Sequence, residues 1–156
     1  MKKTKIISST DSFDEAVAAL RLGGIVAYPT ETFYGLAVDP FNEDAVKDLF
    51  SLKGRAFKEP VSVIIGDVSM LDTMVEDLSP KAERLTEEFW PGPLTVVLPA
   101  KAEVPDLLTA KSSTGPTIGV RVPGCETARR LSIEFNGPIT ATSANPSGLK
   151  SAVQLS

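Results

Sequence analysis

Residues 12–36 read SFDEAVAALRLGGIVAYPTETFYGL, and this stretch sets the architecture. Ser12-Phe13-Asp14-Glu15 has the spacing of a helix capping box, a hydroxyl three residues ahead of a carboxylate. Phe13, Ala16, Val17 and Leu20 then recur at helical spacing and predict one apolar face. Gly23-Gly24 ends the helix, because glycine accepts the left-handed conformation that closes one. Ile25-Val26-Ala27-Tyr28 predicts a short apolar strand, ended by Pro29. A helix, a glycine stop and a strand in immediate succession make one α-to-β step.

The same alternation continues outward. Asn42 predicts the cap of a second helix through Ala45, Val46, Leu49 and Phe50, with Lys53-Gly54-Arg55 at its end. Val61 to Ile65 predicts a buried strand, and Ser69 to Val75 a short helix. Ser79-Pro80 reads as a cap followed by proline at the first helical position, opening a helix that runs to about Phe89. Leu94 to Leu98 predicts a strand; Lys101 to Pro116, polar and punctuated by proline and glycine, a loop. Thr117 to Val122 predicts a strand, Glu126 to Phe135 a helix and Pro138 to Thr142 a strand, before a tail rich in Ser, Pro and Gly. Alternating strands and helices predict an α/β layered domain. With 156 residues and neither repeat nor linker, residues 1–156 are expected to form a single domain.

Composition excludes several chemistries. The chain has no histidine, so a His general base, a Ser-His-Asp triad and an imidazole metal site are ruled out. Its lone cysteine, Cys125, cannot form an internal disulfide and reads as a partly buried small residue in a reducing compartment. A formal charge of −4 argues against broad, non-specific nucleic-acid binding but leaves room for a local basic patch among 16 Lys and Arg. No segment approaches the ~20 apolar residues that span a bilayer, so a soluble, cytoplasmic protein is expected. No protein metal site is expected, although oxygen ligands remain available to a hard cation.

Polar residues gather just beyond four strands, where ligands of α/β sheets usually sit. Pro29-Thr30-Glu31-Thr32-Phe33-Tyr34-Gly35-Leu36 combines hydroxyls, a carboxylate, a phenol and a glycine; alone it could be a hydroxyl-rich turn. Lys53-Gly54-Arg55, with Lys58 nearby, suits a polyanion such as a triphosphate, or merely a solvated helix end. Arg121 lies inside an otherwise apolar strand. It either faces solvent or clamps a ligand carboxylate, since a buried cation needs an anionic partner. Ser143-Ala144-Asn145-Pro146-Ser147-Gly148, followed by Ser151, could bond phosphate or ribose, or build an Asx turn. Neither G-x-x-x-x-G-K-[ST] nor G-x-G-x-x-G occurs, so any nucleotide site must be unconventional.

Taken in order with Phe89-Trp90-Pro91-Gly92-Pro93-Leu94-Thr95 and Val120-Arg121-Val122-Pro123, these segments resemble the YrdC-like threonylcarbamoyl-AMP synthase family. The resemblance runs from about the first helix to Ser151. It implies a twisted, mixed β-sheet flanked by helices, with a large concave cavity. It also implies a nucleotidyltransferase that condenses L-threonine, bicarbonate and ATP to threonylcarbamoyl-AMP and pyrophosphate, for modification of a tRNA adenosine beside the anticodon. Mg2+ is expected to accompany ATP, and downstream threonylcarbamoyl-transfer proteins to follow. The resemblance puts Thr32 and Arg121 on threonine, and Lys53 and Arg55 on the ATP phosphates as the catalytic cations. Thr117, Ser143, Asn145 and Ser151 are expected along the nucleotide. Glu31 and Tyr34 are cavity residues without an assigned step.

Two departures stand out. Some family members carry a histidine in the strand after the Lys-x-Arg motif, where this chain has Ile64. The family's domain usually continues beyond the position of Ser156, so either this is a shortened form or the cavity is closed differently. A carbamoyl-adenylate-forming domain and a non-enzymatic double-stranded RNA-binding module are the alternative readings.

Overall fold

The computed structural model describes residues 5–8, 10–54 and 59–150. Within them the chain runs α1 (Asp14–Arg21), β1 (Val26–Tyr28), β2 (Gly35–Ala37), α2 (Glu43–Lys53), β3 (Ser62–Ile64), α3 (Pro80–Phe89), β4 (Val96–Pro99), β5 (Ala110–Ser112), β6 (Gly115–Arg121), α4 (Glu126–Phe135) and β7 (Ile139–Ser143), with short 3-10 turns at Val68–Thr73 and Asp106–Leu108.

The helices start and stop where local chemistry directs. Asn42 accepts a bond from the Ala45 amide and opens α2, and Gly54, at φ 61°, closes it in the left-handed region. Ser79 accepts from the Ala82 amide, with Pro80 in the first turn of α3. α1 departs from the expected capping box. Phe13 takes the cap position, and Ser12 accepts from the Asp14 amide instead, one residue early. Burial of Phe13 in the core pins that position.

The strands form one sheet in the order β1-β2-β7-β3-β6-β4, with β5 paired to the start of β6. Only β3 and β6 are parallel among the described pairs. The mixed sheet flanked by helices is the fold that the resemblance implies. Two strands escape the sequence reading. β2, only three residues long, lies at the end of the hydroxyl-rich stretch, and β5 lies in the expected loop. Neither has an alternating pattern long enough to see; each is specified by the neighbour it bonds.

The sheet's two faces differ. On one, Val63, Val96, Leu98, Ile118 and Val120 pack against Ala45, Val46, Leu49 and Phe50 of α2 and Ala82 of α3 in the larger core. On the other, α1 and α4 cover Tyr28, Ala37, Ile64 and Ile139. Towards β4 that second face opens, and Thr95, Val97 and Pro99 are exposed.

Candidate active site

β6 brings both faces into one strand. Ile118 and Val120 are buried at 1% and 0% exposure, while the intervening Thr117, Gly119 and Arg121 are part-buried on the opening face. Period-two alternation sends them there. Gly119 has to be small: a Cβ would lie 3.2 Å from Ser62 Cβ and 3.3 Å from Thr95 Cγ2. The sheet surface between β3 and β4 therefore stays low and accessible.

Arg121 ends this row. Its side chain is 13% exposed, so the solvated alternative fails and an anionic partner is present. Nη1 lies 3.3 Å from Oε1 of Glu31. Arg121 Nε is buried and has no hydrogen-bond partner among the described residues. A buried donor left unmatched costs its full desolvation, so the site is chemically incomplete without an acceptor.

A pocket of about 80 Å3 adjoins the guanidinium, lined by Tyr28, Thr30, Thr32, Phe33, Tyr34, Gly35, Arg121, Ala141, Thr142 and Ser143. It brings three expected site residues together: Thr32, Arg121 and Ser143. Its floor depends on Gly35, where a Cβ would come within 2.9 Å of the Tyr28 ring. Tyr28 donates its hydroxyl to the Thr140 carbonyl at 3.0 Å. Burial pushes this phenol far above its ordinary pKa; Arg121 pulls it down, and Glu31 and Cys125 push it up by less. Tyr28 is a neutral structural donor. Its contribution to the site was invisible in sequence, where it reads as the end of a strand.

The pocket's rim is ordered by Thr30. Its hydroxyl donates to the Phe33 carbonyl at 2.5 Å, lies 3.0 Å from the Thr32 hydroxyl, and accepts from the Thr32 and Phe33 amides. The hydroxyl-rich stretch is thus both a turn and a site wall.

Lys53 is 4% exposed, and its Nζ donates to the Ser143 carbonyl. The Ser147 amide bonds the Lys53 carbonyl at 2.9 Å, so the end of α2 and the segment after β7 clasp one another. Asn145 Nδ2 donates to the Pro146 and Leu149 carbonyls at 2.8 and 2.6 Å, leaving Oδ1 buried without a donor among the described residues. Thr117 is not brought to the pocket. It lies four residues from Arg121, about 13 Å along the strand, and its hydroxyl donates to the Ala110 carbonyl. Arg55 and Ser151 fall outside the described residues. Ile64, in register with Arg121, is fully buried under α1 and α4 and does not line the pocket.

The large concavity that the resemblance implies is not confirmed among the described residues. The pocket at Arg121 is well below the ~300–1,000 Å3 typical of small-molecule sites. A roomier recess of about 560 Å3 lies between α1 and α4, lined by Asp14, Val17, Ala18, Arg21, Leu22 and Glu134, but it holds none of the expected site residues. The smaller pocket is the one that adjoins the buried, unmatched Nε of Arg121.

Comparison with known proteins supplies the family. The Sua5/YciO/YrdC family model, described as "Telomere recombination", matches residues 18–156. The chain is 40% identical over 139 residues to a threonylcarbamoyl-AMP synthase of Coxiella burnetii (strain RSA 331), covering 89% of this chain and 73% of that protein. It is 42% identical over 135 residues to the threonylcarbamoyl-AMP synthase of Bacillus subtilis, covering 86% of this chain but 38% of that protein. The structure of Pyrococcus abyssi Sua5 complexed with L-threonine superposes with a TM-score of 0.82 at 40% identity, over 88% of this chain and 40% of that one. Motif order, sheet topology and these matches agree: the chain belongs to the Sua5/YciO/YrdC family.

Proposed function

We infer that this chain is a threonylcarbamoyl-AMP synthase. The observation that carries the reading is the part-buried Arg121, with one guanidinium nitrogen unmatched, beside a pocket walled by Thr32. An amino-acid carboxylate is the right size and charge to complete it. A relative of the same fold was solved with L-threonine.

The chemistry needs no protein nucleophile. The threonine amine adds to bicarbonate with loss of water to give a carbamate. A carbamate oxygen then attacks the α-phosphorus of ATP, and pyrophosphate leaves. The protein's task is to align the reactants and offset their charge. We assign the threonine carboxylate to Arg121 and its hydroxyl side to Thr32. The nucleotide is assigned to the open sheet face and the segment after β7, where Asn145 Oδ1 offers an acceptor to a ribose hydroxyl or the adenine amine. Ser143 stands where the two substrates meet, with Lys53 holding its carbonyl. Arg55 and Ser151 complete the phosphate and nucleotide contacts in this reading, and Thr117 marks its far end.

Mg2+ belongs here as part of the MgATP substrate. Phosphate oxygens and water would be its ligands there. The product would pass to a transfer step on tRNA, and in this reading the protein works in the cytoplasm. Among the described residues no helix is long and apolar enough to cross a membrane.

The test is pyrophosphate release from ATP, Mg2+ and bicarbonate with a panel of amino acids. Release that requires both threonine and bicarbonate, with serine much poorer, is expected. Turnover driven instead by carbamoyl phosphate, or salt-sensitive RNA binding without turnover, would overturn the assignment.

A further inference from the structure

Glu31 is the one acidic side chain described in contact with Arg121, and it is held with unusual care for a loop residue. One carboxylate oxygen, Oε1, lies 3.3 Å from Arg121 Nη1. The other, Oε2, accepts the backbone N–H of Cys125, the cap residue of α4, at 3.2 Å. The side chain is 22% exposed and lies over Gly124, where even a Cβ would be 4.0 Å from its carboxyl carbon. The Pro123-Gly124 turn is itself tied down by Arg129, whose Nη1 donates to both carbonyls at 2.7 and 2.9 Å. Glu31 therefore connects the fixed start of α4 to the end of β6.

The point of attachment matters. A guanidinium is planar, and its Nε–H and one Nη2–H point the same way, forming the edge that takes a carboxylate through two parallel bonds. Glu31 grips Nη1, at the other end of the group. The Nε on the other edge is buried and has no partner among the described residues.

We propose that Glu31 is the positioning residue of the threonine clamp: it fixes the Arg121 guanidinium by Nη1 so that the Nε–Nη2 edge is set for the substrate carboxylate. The proposal rests on the synthase reading. Glu31 does not touch the reacting atoms. Its negative charge also offsets the isolated cation, so Arg121 is stable in its half-buried place before substrate arrives.

The test is Glu31→Gln, which keeps the shape and an acceptor for the Cys125 amide but removes the charge. Threonine KM should rise about tenfold or more, while kcat and the ATP KM stay within about twofold. Glu31→Asp, which keeps the charge on a shorter arm, should recover part of the loss. A second readout needs no substrate: solvent exchange of the Arg121 Nε–H, followed by NMR, should be slow in the unaltered chain and faster in Glu31→Gln. An unchanged threonine KM overturns the proposal whatever the exchange rate does. A lowered KM also overturns it, since Glu31 would then be competing with the substrate carboxylate. Wild-type turnover that ignores threonine would instead sink the synthase reading, and is seen before any variant is made.

Discussion

Ile118 and Arg121 sit three residues apart on β6 and face opposite ways, and the contrast divides the molecule. Towards α2 and α3 the strand presents Ile118 and Val120 to a dry, close-packed core. Towards the open side it presents Thr117, Gly119 and Arg121, a row that is small, polar and unfinished. The first face satisfies itself. The second keeps an unmatched donor, the Nε of Arg121, at the cost of its desolvation. In the proposed reading, stability and function fall to alternate residues of one strand.

Four substitutions break or sharpen that division, in order of expected size. Arg121→Ala should lower kcat/KM for threonine by about 100-fold or more, since truncating one side of a half-buried charge pair costs about 2–5 kcal/mol. The ATP KM should change little; a matching loss for both substrates would mean that Arg121 holds the fold rather than threonine. Ile118→Ala should do the reverse. Denaturant unfolding should show a loss of about 2–5 kcal/mol, with threonine kcat/KM per folded molecule unaltered. Gly119→Ala tests the boundary between the faces. Its Cβ would press on Ser62 and Thr95, at an expected cost of about 1–3 kcal/mol, read as a lower melting temperature.

Tyr28→Phe carries the smallest effect, about 1 kcal/mol for the lost bond to Thr140. It has a pH signature. The native phenol resists ionisation far above its ordinary 10.0, whereas the unfolded chain ionises there. Its contribution is therefore complete below pH 10 and declines as the pH rises beyond it, because ionisation then favours the unfolded state. Unfolding curves across pH 9–11 should show a decline that is shallower in Tyr28→Phe. Equal slopes would mean that Tyr28 is not buried as described.

Part of the candidate site is legible in the sequence. Thr32 and Ser143 are hydroxyl residues at or beyond the ends of strands and Arg121 is a cation inside an apolar one, and the fold brings all three to one pocket. For Glu31 the sequence offers only a carboxylate among hydroxyls, with no task. Tyr28 and Gly35 left no readable sign as a pair. The ring occupies the space that the glycine vacates, a relation between two strands rather than within one. Lys53 has the sequence signature of a phosphate cation at a helix end. Its contact with the Ser143 carbonyl depends on where β7 ends relative to α2, which no local pattern encodes.

What the sequence determined by itself was local: helix limits at Asn42, Gly54 and Ser79, the core stripe of α1, and the alternation that splits β6. These follow from bonds and contacts within a few residues, where composition and spacing act directly. Tertiary structure decided the rest. It created β2 and β5 by pairing, buried Ile64 under two helices, and brought Glu31 across 90 positions to Arg121. Such contacts depend on strand order and register, and these are set by how all the apolar faces are buried together rather than by any one segment.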